Sequence, residues 1–217
     1  MFKAVYGDKM YDEAAIEQIE LKQSRIALRL LKSGKSATEI FTEEQLSKSD
    51  ELLKKTVAES NGKLKSTNVK FQATGMSADE FLDQFWEMVK DTPTMLAASP
   101  DHFLIGTDPS NLQVIEYNAG LPTKLVVKFG DEFLKVQAAT PDYPLRMVAK
   151  FYLRDAETYV GGVLHELRTT KDGFDGIWGV YYPIAIPDRQ FEAAREHTVV
   201  EVYNWYRFAM ERLNRKG

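Results

Sequence analysis

The chain has 217 residues, three histidines and no cysteine, so metal or nucleophilic chemistry must come from imidazole, carboxylate and hydroxyl groups. Disulfides, thiolate nucleophiles and thiolate-bound zinc are excluded. His197 and Glu201 are four residues apart in Arg195-Glu196-His197-Thr198-Val199-Val200-Glu201, which puts them on one face of a helix. That spacing suits two metal ligands on one helical turn and suits an ordinary ion pair equally well. Val200, Val202, Trp205 and Phe208 leave little room for a solvated pair. An unpaired buried charge is costly, and a divalent ion is one partner that would satisfy both groups.

A second pair lies upstream, His102 in Asp101-His102-Phe103 and Glu116 in Ile115-Glu116-Tyr117-Asn118-Ala119-Gly120. If residues 107–111 turn the chain with a centre near Pro109, the two become opposite residues on paired strands and point the same way. A register shift of one would separate them, leaving a strand-end histidine and a solvated glutamate. His165, in Val163-Leu164-His165-Glu166, is a candidate acid or base facing a cavity, a replacement ligand, or a hydrogen-bonded structural histidine. Tyr152, Tyr159, Trp178, Tyr181 and Tyr182 offer an aromatic lining with hydroxyl handles, or plain core.

Composition narrows the partners. A net charge of −4 and a pI of about 5.5 give no broad electrostatic footprint for nucleic acid or an anionic membrane. No apolar stretch approaches the ~20 residues that span a bilayer, and the first residues lack the apolar run of a signal peptide. A cytoplasmic protein is expected. Phosphate-loop, dinucleotide and serine-hydrolase signatures are absent.

The elements that must position these residues follow from periodicity. Ile16, Ile19, Gln23, Ile26 and Leu30 form an apolar seam on a helix over 11–32, closed by Ser33, Gly34 and Lys35. Thr42 and Gln45 have capping-box form and open a second helix to about Ser60, which Asn61-Gly62 breaks. Val69 and Phe71 alternate with polar neighbours as a strand ending at Gly75. Ser77 and Glu80 then cap a helix carrying Phe81, Phe85, Met88 and Val89. Strands are expected over 102–106, 112–118, 124–129, 145–153, 158–169 and 174–184, with 130–144 unassigned. Pro187-Asp188 introduces a long last helix to about Leu213. It is apolar nearly all round, so its Val199, Tyr203, Tyr206 and Met210 face is the expected dock for an N-terminal helical hairpin. This divides the chain into a hairpin extension, 1–65, and a core domain, 66–217.

The order strand, helix, about six strands, long helix resembles the helix-grip fold of the START and Bet v 1-like superfamily, an α+β architecture whose curved antiparallel sheet wraps the last helix around a cavity. Within it, His-x-x-x-Glu at His197 and Glu201, continued by Val202-Tyr203-Asn204, and Pro-Asp-His-Phe at His102 resemble the diacetylphloroglucinol and phloretin hydrolase family from about residue 95 onward. The resemblance implies a divalent metal, usually zinc, held by His102, Glu116, His197 and Glu201, with Glu132 as the alternative sheet carboxylate. It implies cleavage of the bond between ring carbon and carbonyl carbon in an acylated polyphenol, with His165 or a cavity tyrosine such as Tyr182 moving the proton. The expected partner is a small aromatic or hydrophobic ligand, without nucleic acid or membrane, and a homodimer is compatible with it. The alternative is a non-enzymatic carrier of a hydrophobic small molecule, with His197 and Glu201 as a buried structural pair. A third expectation is an interaction protein that docks through the N-terminal helices.

Overall fold

A computed structural model of the chain describes residues 1–31, 39–108, 111–118 and 121–216. The expected helix stop at Ser33, Gly34 and Lys35 and the turn at Pro109 lie outside them. The protein is α+β, with a large curved antiparallel sheet and a long C-terminal helix. The strands, in chain order, are β1 (Phe2–Tyr6), β2 (Lys9–Asp12), β3 (Leu64–Ser66), β4 (Val69–Thr74), β5 (His102–Asp108), β6 (Asn111–Asn118), β7 (Leu121–Phe129), β8 (Leu145–Tyr152), β9 (Tyr159–Thr170) and β10 (Gly173–Pro183). The helices are α1 (Glu13–Leu31), α2 (Glu43–Ser60), α3 (Ala78–Val89), α4 (Thr92–Ala98) and α5 (Asp188–Lys216). In space the strands run β2-β1-β4-β10-β9-β8-β7-β6-β5, with β3 also paired to β10.

Strand periodicity sorts residues between the two faces of the sheet. Met147 and Ala149 on β8, Val163 and Leu167 on β9, and Trp178 and Val180 on β10 join the main core with α5, whose Val199, Val200, Val202 and Trp205 are all fully buried. The intervening Val148, Leu164 and Tyr181 face the other way, against Phe133. Phe133 belongs to a short 3-10 helix, Asp131–Lys135, within the previously unassigned 130–144 stretch. Both expected capping boxes form, Thr42 with Gln45 and Ser77 with Glu80.

The N-terminal segment differs from a docked helical hairpin. Its first twelve residues form a strand hairpin: β1 pairs with β2 across Gly7 and Asp8, with Gly7 at φ +54°, and β1 adds to β4. Phe2 thereby stacks on Phe71 and meets Tyr203 and Tyr206 of α5, so a strand residue covers part of the α5 face expected to receive helices. Among the described residues α1 lies along α5, through Lys22 to Glu196 and Glu20 to Asn204, whereas α2 lies against β7. The physical reason is the inner stripe of α2, which is largely small and polar. Ser49 meets Thr123 of β7, and Ser60 accepts from the Ala185 amide. Arg154, just beyond β8, clasps α2 through Asp50, Glu43 and Ser47. α3 ends at Val89, and Pro93 stands in the first turn of α4, where its missing N–H costs nothing.

Candidate metal centre

Two strand residues and one helix turn build the centre. His102 and Glu116 are direct partners on β5 and β6. From Asp108↔Asn111 to Leu104↔Ile115 the pairing is regular, and continued unbroken it would set Phe103, not His102, against Glu116. The register shifts between His102 and Leu104, so Phe103 is an extra residue. It turns outward to Phe41 and Tyr117 while His102 turns inward. His197 and Glu201 come from the matching face of α5.

The ligand atoms of His102, His197 and Glu201 all lie within 4.8 Å of one another, and this group could bind a metal ion. Oε2 of Glu116 is 3.6 Å from Nε2 of His102 and 3.8 Å from Nε2 of His197, both longer than a hydrogen bond. Ligands ~2.0–2.1 Å from a tetrahedral ion stand roughly 3.3–3.4 Å apart, so a contraction of a few tenths of an ångström would close these edges on a cation. The side chains are nearly all shielded from solvent. Imidazole and carboxylate together suit zinc, manganese or iron.

Surrounding groups orient this set. The indole Nε1 of Trp178 donates to Oε2 of Glu201 at 3.3 Å. Oδ2 of Asp101 lies 3.9 Å from Nδ1 of His197 on the side away from Glu116. Burial pushes the Asp101 carboxyl up to about 6, with His197 opposing the shift and Glu116 adding to it. Carboxylates gathered around two imidazoles in an apolar enclosure favour a cation. Sequence reasoning missed Asp101, although it precedes His102 directly, and treated Trp178 as lining or core.

Other candidates separate. Glu132 is not a sheet carboxylate: it lies on the exposed 3-10 helix and pairs with Lys135 at 2.7 Å, which lowers its pKa, and it belongs neither to the ligand group nor to the cavity lining. His165 is outside the ligand group but lines the same cavity. Burial pulls its pKa down to about 3, so the imidazole is neutral. Tyr182 also lines the cavity, and burial first, then Glu116 and Glu201, holds its hydroxyl protonated well above the usual range. Tyr181 points to the opposite face, and Tyr152 and Tyr159 pair beside Lys128 and Lys150.

The cavity has a volume of about 110 Å³. Ile105, Val114, Met147, Val163 and Trp205 make its walls apolar, and the ligand group occupies one side. Phe129, which lines the cavity, is exposed, and its ring meets that of the exposed Trp86 of α3 edge-on, 5.7 Å apart. No protein-family model matches the chain, and no curated protein matches its sequence. The centre is therefore interpreted from its geometry. Among the described residues no helix is long and apolar enough to cross a membrane.

Proposed function

We propose that this chain is a metal-dependent hydrolase of the helix-grip type, which removes an acyl group from a polyhydroxylated aromatic ring by breaking the bond between ring carbon and carbonyl carbon. His102, Glu116, His197 and Glu201 would hold one divalent ion, zinc by preference. The observation that carries the proposal is the convergence of two imidazole nitrogens on Glu116, with Glu201 beside them, at the wall of an apolar cavity. The resemblance to diacetylphloroglucinol and phloretin hydrolases supplies the reaction type.

A divalent ion in such a set supplies Lewis acidity, polarising a carbonyl and acidifying water. Two carboxylates make the set formally neutral with the ion bound, so this effect is weaker than in a three-histidine site. The apolar walls hold the ring and keep bulk water out. Tyr182, kept protonated, donates to a substrate oxygen. His165 can accept a phenolic proton at one nitrogen and donate at the other. The substrate ring shifts to its keto form, so that the ring carbon leaves with a stabilised pair of electrons and is reprotonated. Water supplies the hydroxyl of the carboxylic acid, and the products are that acid and the free phenol.

The test is to incubate zinc-, manganese- or iron-loaded protein with acylphloroglucinols and follow release of phloroglucinol and acid. Rings with hydroxyls at both ortho positions and at para should turn over, and rings with one hydroxyl should be far slower. Absence of turnover, with tight ligand binding, would support a second reading as a carrier of a hydrophobic small molecule, which the largely apolar lining favours. Turnover of simple esters but not of carbon-acyl substrates would indicate an esterase.

A further inference from the structure

Glu116, Leu125, Phe151 and Tyr182 line the main cavity and also a second, smaller hollow of about 40 Å³ beyond it. Glu116 and Tyr182 thus stand between the two compartments, with His102, His197 and Glu201 on the main-cavity side. The outer wall of the hollow is α2, through Ser49, Leu52 and Leu53, and its base is the first part of α5. We propose that this hollow is the subsite for the acyl chain of the substrate, and that Leu53 sets the chain length it accepts. This rests on the acyl-ring hydrolase reading above.

Adjacency comes first. A ring in the main cavity and a chain in the hollow leave the carbonyl between them at the level of Glu116 and Tyr182, beside the ligand group. Chemistry agrees: Leu53, Leu125, Leu153 and Val160 form one apolar cluster. Two hydroxyls at the wall, Ser49 and Thr123, bond to each other at 3.1 Å and so do not demand water. Size is the third argument, since the hollow has about a third of the volume of the main cavity, about 40 against about 110 Å³, and so suits a short chain and not a second ring. The wall is also fixed in place, because α2 is held by Arg154 on Asp50, by Lys54 on Asp155, and by Ser60 on Ala185.

The experiment is a binding series on metal-loaded protein, measured by calorimetry. It compares phloroglucinol with acyl derivatives from acetyl to octanoyl in wild type, Leu53→Ala and Leu53→Phe. Wild type should bind acetyl to butanoyl derivatives best and lose about tenfold at hexanoyl, the scale of one misfitted methylene or more. Leu53→Ala should move that break to longer chains and tighten hexanoyl binding about tenfold. Leu53→Phe should weaken acetyl and butanoyl derivatives about tenfold while leaving phloroglucinol unchanged. Should the larger side chain fail to fold, the Ala variant alone decides. A chain-length profile indifferent to residue 53 overturns the subsite, whether or not the compounds are cleaved. A profile that moves as described, without cleavage, leaves the subsite standing and removes the hydrolase. If no acylphloroglucinol binds wild type, both fall.

Discussion

The imidazole of His165 and the indole of Trp178 lie face to face, ring centroids 3.8 Å apart and 7° from parallel, as direct partners on β9 and β10. The imidazole serves as a neutral aromatic plate, because burial draws its pKa to about 3. An unfolded histidine titrates near ~6.5. As pH falls below that value the unfolded chain binds the proton first, so stability is full above ~6.5 and drains as pH drops toward about 3. His165→Phe keeps the plate and removes the titration. In chelator, its melting temperature should therefore fall less than that of wild type between neutral pH and about 4.5. Parallel pH profiles would refute this role.

The other edge of the same indole holds Glu201. Trp178→Phe preserves most of the packing and deletes the donor. Groups that orient a ligand are typically worth ~10- to 100-fold in metal affinity, and a loss of that order is expected in competition with a chelating indicator. Unchanged affinity would show that Glu201 is oriented by something else.

Direct ligand tests divide the carboxylates. His197→Ala should abolish stoichiometric binding of zinc, measured by elemental analysis after dialysis. Glu116→Gln should weaken it while preserving volume. Glu132→Gln, on the exposed 3-10 helix, should bind as wild type, and a loss there would contradict the placement of that helix.

The amino-terminal strand can be tested by denaturant unfolding. Phe2 is fully buried among Phe71, Tyr203 and Tyr206, and Phe2→Ala should cost about 3–5 kcal/mol. Removing residues 1–12 should be worse, because it bares β4 as a sheet edge, and aggregation should accompany it. A soluble truncation with unchanged midpoint would show the hairpin to be dispensable.

Local signals were legible where one element suffices. The helical spacing of His197 and Glu201, the two capping boxes and the alternation around Val69 and Phe71 need no partner to be interpreted. Residues 2–12 carried a usable signal too, Phe2, Ala4 and Tyr6 alternating before Gly7 and Asp8, but they are too short to stand out beside the helix that follows. Asp101 and Trp178 were opaque for a different reason. Their roles exist only once α5 is laid against β5 and β10, and nothing within either segment marks that meeting. The apposition of His102 and Glu116 was anticipated from a hairpin centred at Pro109, whereas the structure reaches it with a regular ladder plus one extra residue.

That extra residue loosens any link between spacing and chemistry. Thirteen residues separate His102 from Glu116, yet a straight ladder lacking Phe103 would bring the same two side chains together across an interval one residue shorter. What would be lost is the ring that reaches Phe41 at the start of α2. Related chains could therefore differ by a one-residue gap at this point and share the centre, while differing in how the α2 wall is anchored. In an alignment the position of that gap would report on wall anchoring, and a fixed His-to-Glu interval would be a poor signature for the centre itself.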